Sequence, residues 1–241
     1  MRVKRTLLKL LSKQREPVQH AVRNLWAEMR ISIVTRRSVS ELKGLRQKKG
    51  LKIQLGCGQD VRSGWVNIDL DLHHSLTRKA TALPDAVFIN HDLRTGLPLD
   101  NNSCDYIYSS HFLEHLEYKQ GFNLLRECHR ALTDGGVFRI ALPDYRGIFR
   151  AYLQGDHSYF KLIDDENVLE QVGAKTRTLC DFVNFCVYQY GEHKCIYDED
   201  HLTALLKEVG YSAVEVSSFQ EGIDPATSIR QHHSFYVEAR K

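Results

Sequence analysis

The sequence lacks several features that would place the protein in other classes. No apolar run approaches the roughly 20 residues of a membrane-spanning helix. The start, MRVKRTLLKLLSKQ, has a basic head, but Lys9 and Lys13 interrupt its apolar stretch and no small-residue cleavage site follows, so we expect no secretory signal. The six cysteines show neither CxxC nor zinc-finger spacing, which favours reduced thiols in a cytoplasmic protein.

A third glycine is missing from the main glycine turn. The alternating strand LKIQL runs into Gly56-Cys57-Gly58, and a GxGxxG dinucleotide fingerprint would place glycine at Val61 and an acid about twenty residues further on. The acid present, Asp69, ends the next apolar run much earlier. This pattern disfavours a nicotinamide oxidoreductase, which stays as an alternative. It indicates a nucleoside pocket, since glycines admit a ligand close to the backbone and a strand-tip acid accepts hydrogen bonds from ribose hydroxyls.

Basic charge is concentrated at one end of the chain. Residues 1–50 hold 14 Lys and Arg against 3 Glu, a balance of +11, whereas residues 51–241 hold 19 basic and 27 acidic residues, a balance of −8. Apolar residues at helical spacing in 3–11 and 18–29 predict two helices, followed by a polar linker or short helix. This extension could pack on the domain, form a dimer, or touch an anionic membrane surface through residues 1–33. Nucleic acid is less favoured, because only Trp26 could stack on a base.

Strand and helix patterns alternate after residue 50, which predicts an α/β fold with a doubly wound, mostly parallel sheet. An amphipathic helix from Phe122 is expected to stop at Asp134-Gly135-Gly136 with a left-handed cap. Ligands bind outside the carboxyl ends of the strands in such sheets. The residues expected at those ends are Gly56, Asp69, Asp92, Ser109, His111 and Asp144.

Periodicity lapses at about residues 145–198, where ten aromatic residues fall. We expect a helical insertion there. Its aromatics could form a core of their own, or they could shape a lid over the substrate, since aromatic faces suit sugars and other semi-polar rings. Both interpretations can hold together. The predicted organisation is a basic helical extension over 1–50 and one domain with this insertion over 51–241.

Three motifs together resemble the class I S-adenosylmethionine-dependent methyltransferases: LGCG with GWVNID, LPLDNNSCDYIYSSHFLEHL, and LLRECHRALTDGGVFRIALPD. The chain is most similar to small bacterial methyltransferases associated with surface-polysaccharide biosynthesis. The resemblance is strong over residues 51–144 and does not extend to residues 1–50. It implies a Rossmann-like sheet of seven strands whose last strand is antiparallel, and S-adenosylmethionine as cofactor.

The resemblance also implies cofactor-binding residues. Gly56, Cys57 and Gly58 would line the methionine and ribose portion, Asp69 would hold the ribose hydroxyls, and Asp92 with Leu93 would hold the adenine, with Ser109 at the adjoining strand end. Two departures stand out. The glycine motif has no acid before Gly56 and has Gln59-Asp60 in place of its third glycine, and the first helix is abbreviated, since only eleven positions separate Gly58 from Asp69. Asp71 therefore stays as an alternative ribose acid.

Methyl transfer to a hydroxyl benefits from a general base, and four residues are candidates for catalysis. His111 follows a strand end and titrates near neutrality, so it is the first choice. His115 lies one helical turn on and could be a partner or a helix cap. Asp144 could orient a histidine or bind the acceptor, and His193 could close over the site from the insertion. The pairs His73-His74 and His232-His233 have no third ligand at recognisable spacing, so we predict no metal site.

The sequence therefore predicts a cytoplasmic methyltransferase, peripheral to the inner face of the membrane if the basic arm binds lipid. Its acceptor would be a small molecule or glycan precursor methylated on oxygen. A non-enzymatic scaffold that docks a membrane or partner through the arm is the alternative, although a scaffold need not retain the glycine turn and the acids. The oligomeric state does not follow from the sequence.

Overall fold

A computed structural model describes residues 16–41, 45, 48–72, 75–163 and 176–241. Its centre is one seven-stranded sheet in the order β3-β2-β1-β4-β5-β7-β6. The strands are β1 (Leu51–Leu55), β2 (Val66–Asp69), β3 (Val87–Asn90), β4 (Cys104–Ser110), β5 (Leu132–Pro143), β6 (Ala213–Ser217) and β7 (Ser234–Arg240).

Strands β1 to β5 all run parallel to one another. Strand β7 lies between β5 and β6 and is antiparallel to both. The strand order reverses between β1 and β4, the position at which doubly wound sheets open a crevice at their carboxyl ends. The predicted fold class is confirmed: an α/β sheet, mostly parallel, with an antiparallel last strand.

Eight α-helices are described: α1 (Glu16–Glu41), α2 (Ser75–Thr81), α3 (Tyr118–Ala131), α4 (Tyr145–Gln154), α5 (His157–Ile163), α6 (Leu179–Tyr188), α7 (Glu199–Val209) and α8 (Ser228–His232). Short 3-10 turns occupy Leu93–Thr95, Leu113–His115 and Gln189–Gly191. The main core lies between the sheet and helices α3 and α7, because Leu124, Leu125 and Leu206 are 1% exposed or less.

Helices α4, α5 and α6 have a hydrophobic cluster of their own. Its buried members include Ile148, Phe160 and Ile163, and the rings of Phe160 and Phe182 stack with centroids 5.3 Å apart. Other aromatics of this region, such as Tyr188, are more than half exposed. The division of the aromatics into a core and an exposed set is compatible with an insertion that also acts as a lid, and the domain boundaries stay a proposal.

Helix α3 ends earlier than predicted, at Ala131 rather than at Asp134-Gly135-Gly136. Leu132 is already extended and pairs with Cys104 of β4, so sheet pairing takes over from the helix. The two glycines instead form an irregularity within β5. There, Gly135 has a φ of 77° and its N–H donates to the carbonyl of Lys241.

Helix α1 packs on the carboxyl end of β3. Ser38 Oγ lies 2.8 Å from His91 Nδ1, and Thr35 Oγ1 accepts from the backbone N–H of Asp92. The two carboxylate oxygens of Glu28 accept hydrogen bonds from Nη1 and Nη2 of Arg94, at 3.1 and 3.0 Å. This part of the basic extension therefore contacts its own domain. The first helix predicted in the arm lies outside the described residues. None of the helices described is long and apolar enough to cross a membrane.

One charged side chain is fully buried in the sheet. Arg139, on β5, is 0% exposed and donates to both carboxylate oxygens of Asp224 and to Glu238 at 2.8 Å. Ser217 Oγ and the Ser218 carbonyl accept its other N–H groups. Each arm of the guanidinium thus has an acceptor, as a buried charge requires.

Candidate active site

The two glycines of the turn after β1 differ in the space around them: Gly56 is packed against protein, and Gly58 faces open space. Gly56 has a φ of 59°, and a Cβ built there would lie 2.3 Å from the ring of Phe112, so this side is filled by protein. Gly58 has a φ of 49° and has nothing within 4 Å of a built Cβ. Between them, the Cys57 side chain is buried, and this burial raises the pKa of its thiol. A ligand can therefore approach the backbone at Gly58.

Asp69 at the tip of β2 faces this turn. One carboxylate oxygen accepts from Gly58 N and the other from Leu70 N, each at 2.6 Å. Burial raises the pKa of Asp69, while the two N–H groups oppose that shift. The alternative ribose acid, Asp71, is instead buried and accepts from Leu76 N and Thr77 N in the first turn of α2. Of the two acids, Asp69 therefore lies beside the open glycine.

Two further predicted cofactor residues lie at the end of β3. Asp92 accepts from the backbone and side-chain N–H groups of Arg94, which in turn pairs with Glu28 of α1. Leu93 is 4% exposed. Ser109 is also buried and lies on β4 opposite Leu55. The structure thus places these residues along one sheet edge, with the Asp92 carboxylate already held by an arginine.

A cavity of about 270 Å³ lies beyond the carboxyl ends of β4 and β5, under the insertion. The catalytic candidates His111, His115 and His193 all line it. The rest of its wall is formed by Glu114, Pro143, Ile148, Ile163, Phe185, Cys186, Gln189, Ile229, Arg230 and His233. The structure therefore brings three separately predicted histidines together.

His111 is held in an unusual conformation with a defined tautomer. Its φ is 50°, in the left-handed region that few non-glycine residues adopt. Its Nε2 lies 2.7 Å from Ser234 Oγ, and that hydroxyl donates to the Ile229 carbonyl. Nε2 must therefore carry the proton, which leaves the lone pair on Nδ1. Burial, followed by the charge of Arg230, lowers the pKa of His111 well below its usual value, so the ring is neutral.

His115 and His193 pack edge to face, with ring centroids 4.8 Å apart. His193 Nδ1 lies 2.8 Å from the Cys186 carbonyl, which can only accept, so Nδ1 carries the proton and Nε2 is free to bind a ligand. Burial lowers the pKa of His193 to about 4 and also lowers that of His115. The Asp69 carboxylate acts on the pKa of His115 in the opposite direction and raises it.

Asp144 lies apart from these histidines. Its carboxylate accepts from Gly147 N at 2.8 Å and so caps the first turn of α4. It is not among the residues that line the cavity within the described part of the chain, and the histidine whose pKa its charge raises is His233. A helix-capping role accounts for its contacts.

Two cavity residues were missed by the sequence predictions. Glu114 is 0% exposed, and burial raises the pKa of its carboxyl group to about 8. Its Oε1 lies 3.8 Å from His111 Nδ1. Arg230 of α8 reaches the cavity and donates to Ser110 Oγ at 3.0 Å. The spacing His-x-x-Glu-His at 111–115 could have singled out Glu114, whereas no local pattern marks Arg230.

The strand ends fit a nucleoside-bearing cofactor. Gly58 faces open space, and the carboxylate of Asp69 lies within hydrogen-bonding distance of its N–H. This combination leaves room for a ligand next to an acid that can accept hydrogen bonds from hydroxyls.

Comparison with known proteins gives one family match. Residues 53–140 match the family model described as a methyltransferase domain. No match was found among curated proteins. This segment contains most of β1, all of β2 to β4 and most of β5, and it therefore includes the glycine turn, Asp69 and the three residues His111, Glu114 and His115.

Several solved structures are similar, at low identity. A methyltransferase from Mesorhizobium loti shares 20% identity over 84% of this chain and 96% of its own, with a TM-score of 0.48. A methyltransferase from Archaeoglobus fulgidus shares 13% identity over 84% of this chain and 92% of its own, with a TM-score of 0.48. A possible histamine N-methyltransferase from Thermotoga maritima shares 15% over 91% and 96%, again at 0.48.

The strand order of the sheet and its crevice agree with the match of residues 53–140 to a methyltransferase domain. Residues 53–140 of this protein are therefore similar to a methyltransferase domain.

Proposed function

We propose that this protein is a class I S-adenosylmethionine-dependent methyltransferase, and that it methylates an oxygen of a saccharide or glycan precursor bound in the cavity under the insertion. The cavity wall carries this proposal. Its insertion side is apolar, with Ile148, Ile163 and Phe185, and its sheet side is polar, with His111 and Arg230. A sugar ring has an apolar face, which could pack on the insertion side, and hydroxyl groups at its edges, which could hydrogen-bond to the sheet side. The volume of about 270 Å³ lies just below the range of about 300–1,000 Å³ typical of drug-sized ligands, as suits one ring.

The cofactor is proposed to bind at the ends of β1, β2 and β3. Gly56, Cys57 and Gly58 would line its methionine and ribose portion, and Asp69 would accept hydrogen bonds from the ribose hydroxyls. Leu93 and Asp92 would bound the adenine, and Ser109 would close the side towards β4. When bound, S-adenosylmethionine supplies a methyl group on a good leaving group, so the main task of the protein is alignment.

The general base is proposed to be His111. Its Nδ1 carries a lone pair, because Nε2–H is engaged by Ser234. Since its ring is neutral and lines the cavity, Nδ1 can accept the proton of an acceptor hydroxyl. Arg230 would hold an oxygen or an anionic group of the acceptor. His115 and His193 would complete the wall, and Asp144 would keep α4 in place through its cap.

Replacing Asp69 with alanine is expected to weaken S-adenosylmethionine binding about tenfold or more, because a ribose hydrogen bond to a charged group is lost, at about 1.5–3 kcal/mol. Isothermal titration calorimetry measures the affinity, with NAD as a second ligand that should give no heat. The matched control is Asp71→Asn, which retains an oxygen for the α2 cap and should leave the affinity unchanged.

The opposite pattern, with Asp71→Asn weakening binding and Asp69→Ala neutral, would place the ribose at Asp71. An absence of heat with S-adenosylmethionine for the unaltered protein would leave the scaffold interpretation. The acceptor is tested by mass spectrometry of a glycan panel after incubation with cofactor. Methylation on nitrogen, or of proteins alone, would contradict the saccharide proposal.

The outer face of α1 supports a second proposal, contact with an anionic membrane surface through residues 1–33. Val18, Leu25, Met29 and Ile33 are 43–62% exposed and recur at helical spacing along α1. Together with the balance of +11 in residues 1–50, this is the pattern of a helix that lies on a membrane surface.

The double substitution Leu25→Glu, Met29→Glu is expected to lower co-sedimentation with phosphatidylglycerol vesicles about tenfold or more, since two apolar side chains lose their burial. Leu153→Glu, at a residue 83% exposed on α4, is the matched control and should sediment like the unaltered protein. Equal sedimentation of all three proteins would contradict the membrane proposal, and a change from dimer to monomer in light scattering would instead favour self-association.

A further inference from the structure

Three potential metal ligands converge at the cavity wall. Among the described residues, Glu114, His115 and His193 each offer one ligand atom, and these atoms lie within 4.8 Å of one another. Two come from the 3-10 turn Leu113–His115 after β4, and the third comes from the end of the insertion. All three line the cavity in which the acceptor is proposed to bind.

The carboxyl group of Glu114 lacks a hydrogen-bond partner at its buried position in the described part of the chain. The residue is 0% exposed, and neither of its side-chain oxygens has a hydrogen-bond partner among the residues that the structure describes. Buried polar groups in folded proteins are almost always hydrogen-bonded, and a buried unpaired charge is costly. His111 Nδ1 lies 3.8 Å from Glu114 Oε1 and carries no proton in the tautomer fixed by Ser234, and Arg230, which lines the same cavity, forms no hydrogen bond to the Glu114 side chain in the described part of the chain.

The imidazole of His193 is oriented as metal ligands usually are. His193 donates Nδ1–H to the Cys186 carbonyl at 2.8 Å, and the ring of His115 packs edge to face against it. A histidine that binds a metal normally donates its other ring N–H to a carbonyl or carboxylate in this way, which fixes the tautomer.

We propose that Glu114, His115 and His193 bind a divalent first-row transition-metal ion such as Zn²⁺ in the acceptor cavity. Two imidazole nitrogens and one carboxylate oxygen suit Zn²⁺ or Fe²⁺ better than Mg²⁺ or Ca²⁺, which prefer oxygen ligands. Metal bonds of about 2.0–2.2 Å require the three side chains to turn slightly inward. The sequence alone predicts no metal site, so this proposal departs from that expectation.

An open coordination position would face the cavity, next to Nδ1 of His111. There the ion would hold the acceptor oxygen and lower the pKa of its hydroxyl, while His111 takes up the proton. This role rests on the proposed function. Metal binding itself does not, because it follows from the three ligands alone.

The test is a titration of the full-length, metal-free protein with Co²⁺, a spectroscopic substitute for Zn²⁺, followed by visible absorption and calorimetry. The unaltered protein should bind one equivalent. E114Q should bind about 100-fold more weakly or worse, since it loses the only anionic ligand. E114Q keeps the shape of the neutral acid and is expected to fold. E215Q, at an exposed residue of β6, is the matched control and should bind like the unaltered protein.

Thermal unfolding gives a second readout that does not require activity. Zn²⁺ should raise the Tm of the unaltered protein and of E215Q, because a ligand that binds only the folded state stabilises it, and should leave E114Q and H193Q unchanged. Failure of the unaltered protein to bind Co²⁺, or equal binding by E114Q, would overturn the proposal. Calorimetry with S-adenosylmethionine on the same samples separates this outcome from a failure of the cofactor site.

Discussion

Replacing His111 with alanine is expected to lower turnover about 100- to 10,000-fold, the contribution usual for a general base, and to leave S-adenosylmethionine affinity unchanged. The reason is its position. His111 lines the acceptor cavity. Its Nδ1 lone pair is left free because the hydroxyl of Ser234 accepts a hydrogen bond from Nε2–H. The rate is measured under single-turnover conditions with the acceptor identified by mass spectrometry, and cofactor affinity is measured by calorimetry.

Three further variants make this test more specific. His111→Asn keeps a residue that tolerates the left-handed backbone at a φ of 50°, so a loss of rate cannot be ascribed to the fold. His232→Ala removes an exposed histidine of α8 and should have no effect on the rate. Ser234→Ala should lower the rate less than His111→Ala, because it frees the ring without removing it. Normal turnover in both His111 variants would exclude His111 as the base.

Replacing Arg139 with methionine is expected to reduce the free energy of unfolding by about 3–5 kcal/mol, because it leaves the carboxylate of Asp224 buried and unpaired. Asp224 is 5% exposed, and its oxygens accept from the Arg139 guanidinium. Glu238 and the Ser218 carbonyl also lose a donor. Urea unfolding followed by circular dichroism measures the effect.

The double substitution Arg139→Met, Asp224→Leu is expected to recover part of this loss, since no charge is then left unpaired at Asp224. Arg146→Met is the matched control. Arg146 forms ion pairs with Asp198 and Asp200 at the surface, and such pairs add little to stability. If Arg139→Met and Arg146→Met unfold at the same urea concentration, the buried network does not stabilise the sheet.

Much of the sheet could be predicted because its signals are local. The alternation in LKIQL predicted β1, which spans Leu51–Leu55, and the acid at the end of the next apolar run is the last residue of β2. The end of α3 could not be predicted in the same way. The Asp134-Gly135-Gly136 signal for a helix cap is genuine as local chemistry, but the pairing of Leu132 with Cys104 ends the helix first.

The candidate site was predicted in part, for a similar reason. His111 and His115 could be singled out because they follow a strand end directly. Glu114, between them, has the appearance of a surface residue in the sequence. Residues 194 and 195, at the end of the insertion, pack over it and donate their backbone N–H groups to its backbone carbonyl. No pattern within a short window reports such a contact.

The sequence by itself therefore determined the strand ends, the glycine turn and the acid beside it, because period-two alternation and turn chemistry depend only on neighbouring residues. The tertiary structure alone decided that His193 contacts His115, that the side-chain oxygens of Glu114 have no hydrogen-bond partner among the described residues, and that Arg230 reaches the cavity. Burial is the physical reason. A charge and its surroundings are set by which distant segments exclude water from it, and that depends on the folded chain as a whole.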